Sequence, residues 1–174
     1  NLNSIDLYTD LILGSADALL TKIDFGSASI NGTHDLTLYT HDLTLGSIGN
    51  NIAIQDLTIV GGSNLSLTDD ITVVGTININ STGLSLDNQI SSTGLDVNIT
   101  TESDLVMSKD STITANSGGI NLVSTSGNVG IGSLTADTSV NIRSEQGYLY
   151  NNINDYISND STSVNITSTD LNLY

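Results

Sequence analysis

A short triplet returns along this chain at an interval that neither a helix nor a hairpin explains. Ile77-Asn78-Ile79 is followed by Val97-Asn98-Ile99, Ile120-Asn121-Leu122, Val140-Asn141-Ile142 and Val164-Asn165-Ile166, in steps of 20, 23, 20 and 24 residues. A mean step of about 22 lies in the range that marks solenoid repeats. Ile52-Ala53-Ile54 and Ile30 extend the series backwards with wider scatter. Between triplets, apolar and polar residues alternate over short stretches, as in Leu36/Leu38, Leu57/Ile59, Leu84/Leu86, Leu105/Met107 and Leu171/Leu173. Alternation of period two reads as a short strand with one buried face. Gly, Asn, Asp and Ser separate the stretches and supply turns. The expected fold is therefore all-β. It is a right-handed parallel β-helix (β-solenoid) of about eight coils of about 22 residues, with three short strands per coil. Residues 1–174 read as a single solenoid segment, part of something longer because both ends carry the same pattern as the middle.

The six residues Thr33–Leu38 recur as Thr40–Leu45, both reading Thr-His-Asp-Leu-Thr-Leu. Seven residues equal one strand plus one turn, a third of a coil. This spacing predicts Leu36 and Leu38 on one face and Leu43 and Leu45 on the next. Asp35 and Asp42 would stand at strand starts, where a short carboxylate bonds nearby backbone N–H groups. The Asp-Leu entry recurs at Asp6, Asp56, Asp104 and Asp170. Ser15–Ile23 departs from the rhythm; it reads either as a short helix with Ser15 as N-cap or as a strand with a broadened corner. Arg143–Ile157 is richer in tyrosine than the rest, and Tyr148, Tyr150 and Tyr156 read as strand residues with hydroxyls in solvent.

Composition limits the function classes. Lys plus Arg is 3 against 19 Asp plus Glu, a formal charge of -16. Without a basic patch there is nothing to displace counterions from nucleic acid or to hold an anionic membrane. No stretch has the length and apolarity of a membrane-spanning helix, so no membrane insertion is expected. Cys is absent, which excludes disulfides, thiolate metal sites and a cysteine nucleophile. Six Asn-x-Ser/Thr acceptors, starting at Asn31, Asn64, Asn80, Asn98, Asn159 and Asn165, are what chance gives in a chain this rich in Asn, Ser and Thr.

Chemistry has few candidates. His34 and His41 are the two histidines, and no further His or Cys is present to complete a transition-metal site. They read as corner residues on a solvated rim. Many parallel β-helices cleave polysaccharides with clustered carboxylates, often aided by Lys or Arg. Here Lys22, Lys109 and Arg143 are dispersed, and Asp69-Asp70 is the one adjacent acidic pair. No catalytic, cofactor-binding or metal-binding residue is assigned. No cofactor is expected beyond weak Ca²⁺ binding by scattered surface Asp, because the glycine-rich calcium roll repeat is missing: Gly61-Gly62 and Gly118-Gly119 stand isolated. Thr112-Ile113-Thr114 is too solitary to predict an ice-binding array.

The stretches IGSLTADTSVNIRSEQG (Ile131–Gly147), GGINLVSTSGNVGIGS (Gly118–Ser133) and the region Ile30–Leu67 resemble the repeat regions of filamentous-haemagglutinin-like adhesins. These are large bacterial exoproteins exported by two-partner secretion. The resemblance implies a right-handed β-helix shaft, display at the cell surface, roles in adhesion or biofilm, and no catalysis in the shaft. Phrases such as SGNVGIG also occur in phage tail fibres, which are trimeric. The expected role is a structural shaft of an extracellular adhesin or surface filament. Its expected partners are solenoid segments or subunits stacked end to end and a host or matrix surface receptor. A trimeric tail-fibre structure is the alternative, and a polysaccharide-active enzyme a more distant one.

Overall fold

The computed structural model of the chain describes residues 3–152 and 166–174. They form strands, turns and bridges with no helix. Every strand pairing is parallel, and each joins a strand to its counterpart one winding later. The chain is a β-solenoid of about seven turns with a spacing of about 21 residues. At about 4.8 Å per turn the windings span roughly 34 Å.

Three faces make up the rod. The longest sheet begins at Leu11–Leu13 and climbs through Leu36–Leu45, Leu57–Leu67, Ile77–Ser81, Val97–Thr101, Ile120–Ser124 and Ser139–Ser144 to Asp170–Leu173. A second face carries Leu84–Leu86, Leu105–Met107, Val129–Ile131 and Leu149–Asn151. The third starts with Ser4–Leu7 on Ser29–Gly32 and continues through an isolated bridge at Ile48. Ile71–Val73, Gln89–Ser92, Thr112–Ala115, Ser133–Ala136 and Ile166–Thr167 then complete it.

The alternating pattern produces the core directly. In a strand, successive side chains point to opposite faces. Leu36, Leu57, Ile77, Val97, Ile120 and Val140 therefore lie over one another in register and are buried. Leu38, Ile59, Ile79, Ile99, Leu122 and Ile142 form a second buried column two residues on. Ile30, Ile48, Ile71, Ile90, Ile113 and Leu134 form a third, on another wall. Most inward positions are branched aliphatics, which fill an equivalent slot in each winding without needing aromatic bulk.

Three expectations about position change. The repeated Thr-His-Asp-Leu-Thr-Leu does not contain a turn: Leu36–Leu45 is one ten-residue strand. It bends at Thr40-His41, where burial changes phase, so that Leu36, Leu38 and Thr40 point inward, then Leu43 and Leu45. The register with the next winding slips between Thr40 and Asp42. The strand thus rounds the corner with its pairing nearly continuous. Second, the triplet series runs backwards through Leu57 and Leu36; Ile52 is exposed, and Ile54 and Ile30 bridge on other rows. At its far end the row continues with Leu171-Asn172-Leu173, whereas Ile166 pairs with Leu134 on a different face. Val164, Asn165 and Tyr156 lie outside the described residues. Third, Ser15–Ile23 is not helical. Ser15 and Ala18 make a two-residue antiparallel bridge, and Leu20–Asp24 is a strand. It is the broadened corner.

Candidate functional site

Polar residues repeat as faithfully as the core, and the repetition builds three polar ladders, two outside and one buried. From Asn98 onward the central Asn of the row donates its amide to the Asn one winding earlier. Asn98 Nδ2 reaches Asn78 Oδ1 at 3.0 Å, Asn121 reaches Asn98 at 2.7 Å, Asn141 reaches Asn121 at 2.8 Å and Asn172 reaches Asn141 at 2.8 Å. All four bonds point the same way, so the ladder is polar along the rod. Side-chain amides stacked at strand spacing bond their neighbours above and below, as in cross-β assemblies.

The Asp-Leu entries form the second ladder. Asp10 Oδ1 accepts the N–H of Asp35 at 3.1 Å, Asp35 that of Asp56 at 3.1 Å, and Asp56 that of Thr76 at 2.6 Å. Asp96 accepts the N–H of Gly119 at 2.7 Å. At the next corner Asp104 accepts the N–H of Asn128, whose side chain accepts that of Tyr148. The expected backbone bond is present, but it runs to the following winding rather than within its own turn. A backbone donor just before a strand begins, at a corner, has no ladder partner, and the carboxylate supplies one. Asp42 instead accepts from the Asn64 side chain at 2.8 Å.

The third ladder was not anticipated. Thr40, Ser81, Thr101 and Ser124 are buried where the long sheet meets the second face. The hydroxyls of Thr40, Ser81 and Thr101 donate to carbonyls two residues on, in Asp42, Gly83 and Ser103. Ser124 donates across windings to Ser103 and accepts from the N–H of Gly127. The signal stands in the sequence: each triplet is followed, two residues after its last apolar position, by Ser or Thr, at Ser81, Thr101, Ser124 and Ser144. Among the described residues no buried side-chain nitrogen or oxygen lacks a partner.

The outer surface of the third face is also ordered. Thr72, Ser91, Thr114, Thr135 and Thr167 share one row. Thr114 is therefore not solitary, although Thr112 shares its own row with Gln89 and Ser133. This row is hidden in the sequence because its members stand at unequal intervals of 19, 23, 21 and 32 residues.

The residues with chemical potential are kept apart. His34 Nδ1 lies 3.4 Å from Asp10 Oδ1, an ion pair only when the imidazole is protonated. His34 lines a hollow of about 270 Å³ with Asp6 and Tyr8, whereas His41 lines one of about 400 Å³ with Gly61, Gly62 and Glu102. The two histidines are not brought together. A third hollow, about 490 Å³, opens beside Ile5, Phe25 and Ala28 with Asp24 at its rim. Each hollow contains one carboxylate, whereas glycoside cleavage ordinarily uses a facing pair. Among the described residues no group of three His, Asp or Glu side chains is placed to share a metal ion.

Asp69 and Asp70 link two faces: Asp69 accepts the N–H of Asp70, and Asp70 that of Gln89. The three basic residues each pair with a near neighbour in sequence: Lys22 with Asp24 at 2.8 Å, Lys109 with Asp110 at 2.7 Å and Arg143 with Glu145 at 3.3 Å. The hydrogen bond from Lys22 holds the Asp24 carboxyl below its ordinary value, and the same bond raises the Lys22 ammonium. No helix among the described residues is long and apolar enough to cross a membrane. Comparison of the chain with protein-family models, with curated proteins and with solved structures gives no match.

Proposed function

We propose that this chain is a structural shaft segment of an extracellular bacterial adhesin or surface filament, supplying stiffness and reach rather than catalysis. The observation that carries the reading is the in-register stacking of winding on winding along the long sheet. Each winding contributes backbone ladders on its faces, aliphatic columns inside and side-chain ladders outside. Such a rod is quasi-one-dimensional, each turn touching only its neighbours, and resists bending because load is shared by many parallel hydrogen bonds. The likeness of Ile131–Gly147, Gly118–Ser133 and Ile30–Leu67 to haemagglutinin-like repeats supports the same role. In this reading a receptor on a host or matrix surface is engaged by another part of the filament.

Pulling a single tethered chain by its ends tests the proposal. Turn-by-turn release of about 21 residues lengthens the chain by roughly 70 Å per event, giving a regular sawtooth. Extension without measurable resistance counts against a shaft. So does cleavage of a panel of neutral and acidic polysaccharides by the purified chain. The trimeric alternative requires an apolar seam between chains; here the main aliphatic columns close within one chain, which favours the monomeric shaft.

A further inference from the structure

The corner where the long sheet turns toward the second face carries the hollow of about 400 Å³. It lies along the side of the rod, with Leu20–Asp24 below it and Ile120–Ser124 above. His41, Ser63, Thr82 and Glu102 reach it from four successive windings, a span of roughly 14 Å at about 4.8 Å per winding. Asn80 lines it two residues before Thr82. Two observations set this corner apart. First, Leu57–Leu67 is irregular here: Gly61 and Gly62 have φ +106° and +98°, and the register with Leu36–Leu45 slips between Thr40 and Asp42. The two glycines bring no side chain to fill the corner, and such bulges re-aim the side chains around them. Second, the side chains of His41, Ser63, Asn80, Thr82 and Glu102 have no partner among the described residues. Elsewhere on the same sheet polar side chains are engaged: Asn98, Asn121 and Asn141 bond one another, Asn64 bonds Asp42, and Ser103 bonds the Thr82 carbonyl.

We propose that this hollow binds a neutral sugar, one or two rings at a time. The lining sets the class. Asn80 offers an amide that donates and accepts, Glu102 two acceptor oxygens, Ser63 and Thr82 hydroxyls, and His41 one ring nitrogen of each kind. The adjacent hydroxyls of a sugar ring call for that mixture of donors and acceptors. Half-buried Leu19 and Val60 give its C–H face an apolar wall. Other ligand classes fit poorly. An anion meets the Glu102 carboxylate on a chain of formal charge -16. A metal ion finds one carboxylate and one imidazole, and no group of three His, Asp or Glu among the described residues is placed to share one. A purely apolar ligand takes five polar side chains out of water without replacing their hydrogen bonds. The volume lies within the ~300–1,000 Å³ range of small-molecule sites. A single carboxylate with no second one facing it holds a sugar without cleaving it. The site goes beyond the shaft reading and does not depend on it.

NMR titration of the isotope-labelled chain with glucose, galactose, maltose and lactose, each alone, tests this. At least one sugar is expected to shift the Asn80 side-chain amide and the Gly61 and Gly62 N–H signals saturably, with a dissociation constant near ~1 mM. Asn80→Leu is expected to weaken that sugar about tenfold and Glu102→Gln several-fold. Both side chains are exposed and unpartnered, so the remaining signals stay in place and report an intact fold. Glucuronate is expected to bind more weakly than the best neutral sugar and to gain affinity in Glu102→Gln. No saturable shift with any of the four sugars up to about 50 mM overturns the proposal. So do shifts centred elsewhere on the rod, or both variants binding as the wild type does. Glucuronate binding more tightly than every neutral sugar overturns the ligand class. Single-chain pulling reads the shaft independently, so the sugar site can fail while the shaft stands.

Discussion

Ile99→Ala measures what one internal column contributes. Ile99 is fully buried, with Ile79 below it and Leu122 above it in register. Alanine removes three carbon groups; at about 0.8 kcal/mol each the lost transfer free energy is roughly 2.4 kcal/mol. The neighbouring windings are pinned by their own backbone ladders and cannot close the gap, so a cavity term adds to this. A total of about 3–4 kcal/mol results, inside the usual ~2–5 kcal/mol span for such truncations. Leu173→Ala is the internal control: its side chain is 54% exposed at the end of the equivalent column, so about half the transfer term, ~1 kcal/mol, applies, with no enclosed cavity. Urea unfolding followed by far-ultraviolet circular dichroism reads both, with an unchanged denaturant slope as the check that the comparison is sound. Equal costs for the two variants, or less than about 1 kcal/mol for Ile99→Ala, refute the stacked-column account.

The direction of the amide ladder is testable by the logic of donors and acceptors, with the same charge added in both variants. Asn121→Asp keeps the acceptor for Asn141 but loses the donor to Asn98, whereas Asn78→Asp keeps the one ladder bond Asn78 makes, as acceptor. Chemical denaturation is expected to show Asn121→Asp about 1 kcal/mol more costly than Asn78→Asp; equal costs contradict the assigned direction. Gly61 has φ +106° and an added Cβ meets the Thr40 carbonyl, while Gly26 has φ +58° with open space around it. Gly61→Ala is therefore expected to cost more than about 2 kcal/mol and Gly26→Ala about 1 kcal/mol, read by thermal melts. For the Lys22–Asp24 pair, the depressed carboxyl contributes above the unfolded carboxylate range and its contribution is lost as pH falls through its lowered folded value. The raised ammonium contributes below the unfolded lysine range and is lost as pH rises through its raised folded value. An NMR titration of Asp24 is expected to move upward on Lys22→Met, and an unmoved curve removes Lys22 as the cause.

The solenoid was legible because its two periods are independent and both survive in plain residue types. Leu-x-Leu and Ile-x-Ile gave the strands, and the Asn triplets gave the winding. Placement failed where the spacing varies. Leu57-Thr58-Ile59 belongs to the triplet row but carries Thr, so Ile52-Ala53-Ile54 looked like the better match. At the other end, a step of 31 residues separates Asn172 from Asn141, and the nearer Val164-Asn165-Ile166 imitates the next rung at the usual spacing. The missed bend at Thr40 has a different origin. A buried Thr whose hydroxyl bonds the Leu20 and Asp42 carbonyls lets one strand change direction without Gly or Pro, the residues by which corners are usually recognised. The Asp entries were read as local turn makers because a sequence displays neighbours along the chain, not residues one winding away.

The central claim is that successive windings lie directly over one another, and pulsed electron spin resonance between paired labels tests it most directly. The chain has no native cysteine, so introduced thiols are the only labelling sites. One label at Thr37 is paired in turn with one at Asn98, Asn121, Asn141 or Asn172, all outward positions of the same row. At about 4.8 Å per winding, the backbone separations are expected to rise in equal increments through roughly 14, 19, 24 and 29 Å. Separations that rise unevenly, or that stop increasing along the series, contradict the stacked solenoid.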